Sequence, residues 1–146
     1  MDEKEYDLLM KDLCARLAYG VIVQVNDGLR GTYDRRLVQV FCDRLSCSVN
    51  VCNPLKECIC IDSVKPYLRP LSSMTESERE ELKALCDKDL SEFAGHIMKG
   101  HGLSRDGLYM FDKLRQLDWL NKNMFDYRDL IQKGFALEAP EGMYNN

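Results

Sequence analysis

The sequence has two histidines, one tryptophan and no apolar run longer than a few residues. Without a stretch of about 20 apolar residues there is no candidate membrane-spanning helix. The opening Met1-Asp2-Glu3-Lys4-Glu5 is acidic where an export signal carries a basic segment, and no apolar stretch follows it. The expected location is cytoplasmic, the host cell cytoplasm if the chain is phage-encoded. Only His96 and His101 could serve a thiolate as base, and both fall in residues 95–107, where four glycines in thirteen residues read as a long loop. Cys86, ten residues before His96, lies on a core-facing helical stripe. Gly95-x4-Gly100 lacks the Lys-Ser/Thr that a phosphate cradle needs and follows a helix instead of a strand. Glu76, Glu78, Glu80 and Glu81 stand at a helix start, where the dipole accounts for them. No catalytic residue and no cofactor site is expected.

Cysteine, in contrast, is abundant. Its seven copies are odd in number, so in a chain with no export signal free thiols are expected. Five fall in the run Cys42, Cys47, Cys52, Cys58, Cys60. Structural zinc draws on two close pairs held on turns. This run lacks that pattern, and strand alternation sends Cys47 and Cys52 to opposite faces, so no metal site is expected. Cys58 and Cys60 share a face.

Length and composition fit one domain over residues 1–146: 45% hydrophobic, 30% charged, long enough for one core. The net charge of −4 is unevenly spread. Residues 14–74 hold eight bases and five acids, whereas 75–94 hold seven acids and three bases. Separate faces for separate partners are one consequence of such a split.

Residues 1–61 read as a helix plus a β-rich part. Tyr6, Leu9, Met10, Leu13 and Leu17 recur at helical spacing, and Val21, Val23 and Val25 alternate as in a strand. Asn26-Asp27-Gly28 signals a turn. Further strands are expected near 36–43, 47–52 and 57–61, the first with Val38, Val40 and Cys42 on one face and Leu37, Gln39 and Phe41 on the other. Residues 62–74 form a connector in which Pro66 and Pro70 deny a long helix and a central strand. Residues 75–146 read as helical: Thr75-Glu76-Ser77-Glu78 matches a capping box opening a helix over 76–94. Phe111, Leu114, Leu117 and Leu120 mark another, and a short last helix near 127–133 stops at Gly134. The tail from Pro140 reads as loose. The fold class is α+β: a small antiparallel meander or barrel-like sheet of about four strands, packed with an N-terminal helix and two to three C-terminal helices.

Two stretches carry a resemblance. Lys65-Pro66-Tyr67-Leu68-Arg69-Pro70-Leu71-Ser72-Ser73-Met74-Thr75, and Asp118-Trp119-Leu120-Asn121 with Phe125-Asp126-Tyr127-Arg128 through Lys133-Gly134-Phe135-Ala136-Leu137-Glu138-Ala139-Pro140, resemble signature segments of small uncharacterised proteins encoded by gut bacteria and their phages or prophages. The related segments have Gly at the place of Asp129 and Leu at that of Phe135. The resemblance covers roughly a third of the chain. It implies a phage-related accessory role and no particular chemistry.

Binding candidates come from the front half. Arg30, Arg35, Arg36 and Arg44, with Arg16 and the rings of Tyr19, Tyr33 and Phe41, could put cations and stacking surfaces on or between strands, as a small β-rich nucleic-acid binder would. Interleaved Asp27, Asp34 and Asp43 make an ordinary solvated surface of the same letters, and Phe41 is expected to face the core. Tyr127 is a candidate interface ring and Trp119 a core residue. The leading expectation is a non-enzymatic, phage- or prophage-related protein that binds a host or phage protein. Nucleic-acid binding through the basic strands is the alternative, and small-ligand capture between sheet and helices the second alternative.

Overall fold

The computed structural model describes residues 1–42, 47–51, 58–85 and 105–144, the backbone alone for 42, 47–51, 58 and 105–112. The cysteines at 52 and 86, both histidines, Arg44 and residues 86–94 of the expected acidic helix lie outside the described residues.

Helix α1, Glu3–Arg16, opens on a capping box absent from the sequence reading. The Asp2 N–H donates to Glu5 Oε2 at 2.7 Å and the Glu5 N–H to Asp2 Oδ1 at 2.8 Å, so two of the orphan donors of the first turn are met. Leu9 and Leu13 are buried, as the spacing predicts. Each contributes about 1.5–3 kcal/mol by leaving water. A 3-10 turn, Leu17–Tyr19, then leads through Gly20 into strand β1, Ile22–Asn26.

β1 turns at Asn26-Asp27-Gly28 into β2, Thr32–Cys42; Asn26 Oδ1 accepts the Gly28 N–H at 3.1 Å, and Gly28 takes a φ of +67° that a side chain would disfavour. β3, Cys47–Val51, and β4, Cys58–Cys60, complete an antiparallel meander. The facing of β2 differs from strict alternation. A bulge between Leu37 and Gln39 resets the phase, so that Leu37 is buried and Val40 packs on the core while Val38 and Phe41 are exposed. Phe41 therefore does not face the core.

The larger correction concerns the connector. Val64–Pro70 is a strand, β5, antiparallel to β1 and parallel to the two-residue strands β6, Phe125–Asp126, and β7, Leu137–Glu138. The sheet runs β4-β3-β2-β1-β5-β6, with β7 also on β5, so it is mixed and not a pure meander. Proline is tolerated because backbone groups alternate sides along a strand. The Tyr67 carbonyl faces the β1 side and the Leu68 carbonyl accepts from Ala139. The nitrogen of Pro66 thus points away from β1, where no ladder bond is lost.

Helix α2 starts at 76 and is described to 85. Its capping box is as expected: the Thr75 N–H donates to Glu78 Oε2 at 2.9 Å and the Glu78 N–H to Thr75 Oγ1 at 3.2 Å. Glu78 also forms a two-pronged pair with Arg69, at 2.9 and 3.0 Å, so the carboxylate ties α2 to β5. Helix α3, Arg105–Lys122, leaves Leu114 and Leu117 exposed among the described residues, against the expected apolar stripe. Residues 127–133 form turns, not a helix. Asp126 caps them by accepting the N–H groups of Leu130 and Ile131 at 3.0 and 2.9 Å.

One core gathers Leu9, Leu13, Val21, Val23, Ile61 and Met124 among its members. A second consists of Leu68, Leu130 and Ala136. The latter joins β5 to the segment between β6 and β7, with Leu8 of α1 packed against it. No helix of the described residues is long and apolar enough to cross a membrane.

Candidate functional site

An open cleft of about 660 Å³ lies where β1 and β2 meet the end of α3 and the C-terminal segment. Its floor and walls include Ile22, Met124 and Tyr144, and its cations are Arg35, Arg36 and Lys122. Local structure explains how each arrives. Ile22 stands opposite Arg36, and Gln24 opposite Asp34, so Ile22, Asp34 and Arg36 share one face of the hairpin. Gly20 lets the Arg36 side chain lie against the chain: a Cβ there would come within 3.1 Å of Arg36 Nε. Lys122 comes from the last turn of α3. Four residues earlier, on the same helical face, Asp118 accepts a hydrogen bond from the Tyr19 hydroxyl and so fixes this end of α3 against the turn after α1. That bond, and burial after it, raise the Tyr19 phenol above its ordinary pKa.

The charges are unevenly matched. Asp34 accepts the Tyr67 hydroxyl at 2.9 Å, and Tyr67 in turn accepts from Gln24 at 3.0 Å. Burial and then Asp34 raise the Tyr67 phenol. Arg36 and Lys122 make no ion pair among the described residues. Two unpaired cations over an apolar floor can hold an anionic group.

The structure separates the residues that the sequence grouped. Arg35 borders the cleft, but its guanidinium lies 5.1 Å over the Tyr33 ring, which packs on the core. Arg30 sits in the β1–β2 loop, 3.8 Å from Asp27. Tyr127 is tied inward. Its hydroxyl donates to Asn121 at 2.9 Å, and the guanidiniums of Arg128 and Arg16 lie 4.8 and 5.5 Å from its ring. Arg16 is no surface cation: it is fully buried, with Nε 2.8 Å from Asp12 Oδ2 and Nη2 2.8 Å from the Phe125 carbonyl. Trp119 stacks on Phe125 at 5.7 Å, in keeping with a packing role. Cys14 and Cys60 are exposed thiols outside any disulfide, Cys14 with its sulfur 3.9 Å from that of Met10, and no group of three metal-ligating side chains occurs among the described residues.

Of the cleft residues, Tyr19 is among the rings that the sequence singles out, whereas sequence reasoning missed Lys122 and Tyr144. Tyr144 had a signal, a lone aromatic ring in a polar tail. Burial pushes its phenol up to about 12, against the lowering effect of the Ile22 N–H and the Arg16 charge.

The fold is α+β, and the cleft is lined by Arg35, Arg36 and Lys122 together with Asp34. No protein-family model matches the chain, and neither curated proteins nor solved structures show a significant similarity to it.

Proposed function

We propose that this chain is a non-enzymatic accessory protein of phage or prophage type, and that it binds an acidic surface of a host or phage protein through the cleft beside β1 and β2. The observation that carries this reading is the pair Arg36 and Lys122, which line an open cleft with no ionic partner among the described residues. Unpaired like charges raise the energy of the free protein, and an anionic group seated between them lowers it. Ile22 and Met124 add apolar area beneath, so binding has a component that salt does not screen.

A second reading, single-stranded nucleic acid, is favoured by the Arg35–Tyr33 stack at the rim, because bases stack on rings edged by cations. One experiment separates the two. The protein and its Arg36→Glu/Lys122→Glu variant are immobilised and exposed to bacterial lysate. Proteins held by the wild type, and lost on the variant and on added salt, support the first reading. Nuclease-sensitive material with the same dependence supports the second, and equal retention on both columns contradicts both.

A further inference from the structure

Strands β2 and β3 meet in a register that runs Gln39 to Asn50, Val40 to Val49, Phe41 to Ser48 and Cys42 to Cys47. The last pair of the hairpin sets two cysteines directly opposite each other, at the two ends of a four-residue connection. Directly opposed residues of an antiparallel ladder have Cα atoms about 4.5 or 5.5 Å apart, according to whether the pair is hydrogen-bonded. Both separations fall within the roughly 4.4–6.8 Å that a disulfide spans. The two positions also share one face of the sheet, so a link between them needs no change of register.

The same register sets the neighbouring thiols apart. Among the described strands the other cysteines are Cys58 and Cys60 of β4, opposite Asn50 and Ser48 of β3. By alternation those positions belong to the face of Phe41, which is exposed, whereas Cys42 and Cys47 belong to the face of Val40 and Val49. Val40 and Ile59 pack against the core. Cys42 and Cys47 therefore stand together at the margin of the core-side face, and the β4 cysteines stand on the other.

Backbone pairing joins β2 to β3 whether or not the cysteines are linked. The stability that a disulfide adds falls as the loop it closes shortens, so the fold does not depend on this one. A fold that persists in both redox states is what a reversible link requires.

We propose that Cys42 and Cys47 are a redox-sensitive pair: a dithiol in reducing surroundings, and a cross-strand disulfide that locks the end of the β2–β3 hairpin when a small-molecule disulfide such as oxidised glutathione is in excess. One thiolate of the pair attacks the small disulfide and releases one small thiolate. The second then attacks the mixed disulfide and releases the other. Two electrons pass from the cysteines to the small disulfide, and the two cysteine protons end on the released thiols. An excess of small thiol runs the same steps backwards.

The test equilibrates the folded, full-length protein in glutathione buffers from reduced to oxidised, quenches it in acid, blocks the remaining thiols and digests it with trypsin. Oxidised buffer should join peptide 37–44 to peptide 45–56 with a mass about 2 Da below their sum, and dithiothreitol should part them. Cys52 shares the second peptide, so two variants are run beside the wild type: Cys47→Ser should abolish the link and Cys52→Ser should keep it. Amide exchange at Phe41 and Ser48 should slow at least about fivefold in the linked protein while circular dichroism stays unchanged. A link that survives Cys47→Ser, or that forms only after unfolding in denaturant, overturns the proposal. So does a pair that stays reduced in buffer that has already put glutathione on the exposed Cys14 and Cys60. Linked protein with unchanged exchange overturns the lock.

Discussion

Asp12 and Arg16 form a fully buried ion pair one helical turn apart, with contacts of 2.8 and 3.0 Å, and Arg128 adds a third contact at 3.1 Å to the same carboxylate. One carboxylate thus serves two guanidiniums from distant parts of the chain. Asp12→Ala would leave Arg16 buried and uncompensated. A loss of about 3–5 kcal/mol is expected, read as a shift of the denaturation midpoint at constant slope. Asp12→Leu/Arg16→Met should lose less than Asp12→Ala, because the buried charge goes with its partner. A double variant weaker than the single one would show that the pair is worth more than its desolvation.

The Tyr144 phenol gives an alkaline signature. Its pKa in the folded chain is about 12 and an exposed phenol titrates near 10, so its neutral form is favoured by folding. The stability it contributes is complete below pH about 10 and is lost as pH rises through about 12, on the order of 2 kcal/mol. Tyr144→Phe should be less stable at neutral pH by about 1 kcal/mol and show a shallower decline above pH about 10. Parallel curves for the two proteins would place the hydroxyl in water.

Glu78 gives the acid counterpart. The hydrogen bonds from Arg69, and then those at Thr75, hold its carboxyl below the usual range despite an opposing effect of burial. A lowered carboxyl contributes stability above its unfolded pKa, and that stability fades as pH falls through the lowered value. Glu78→Gln should cost about 1 kcal/mol at neutral pH, with the gap to wild type closing in acid. A gap that persists unchanged at low pH would show that shape, not charge, ties α2 to β5.

Asp129 holds a left-handed backbone, φ +57°, a conformation that glycine adopts without steric cost. Among the described residues its one ionic contact is a 4.0 Å approach to the exposed Lys133. Asp129→Gly should therefore stabilise the turn by up to about 1 kcal/mol, and Asp129→Val should destabilise it by at least as much. Thermal midpoints of the two variants moving the same way would refute this.

What the sequence made legible follows from what it can encode locally. The valines at 21, 23 and 25, the turn at Gly28 and the capping box at Thr75 each need only near neighbours, and all are present in the structure. What it concealed depends on residues far apart. Nothing next to Pro66 says that β1 will come alongside, nor that its missing N–H will face away. Arg16 looks like any helical cation until Phe125 and Arg128 close over it. The bulge at Val38 reverses the facing of Phe41 without any glycine to announce it. At the candidate site Arg36 could be singled out by type, but Lys122 and Tyr144 reach it only through the fold.

The most direct test of the cleft is a titration of the labelled protein with hexaglutamate at low salt, followed by the NMR shifts of its backbone amides. The largest changes should map to Gly20, Ile22, Arg36 and Lys122, diminish with salt, and vanish in Arg36→Glu/Lys122→Glu. Changes centred on the Arg30 loop, or a response that survives in the double variant, would contradict the assignment of this cleft as the binding surface.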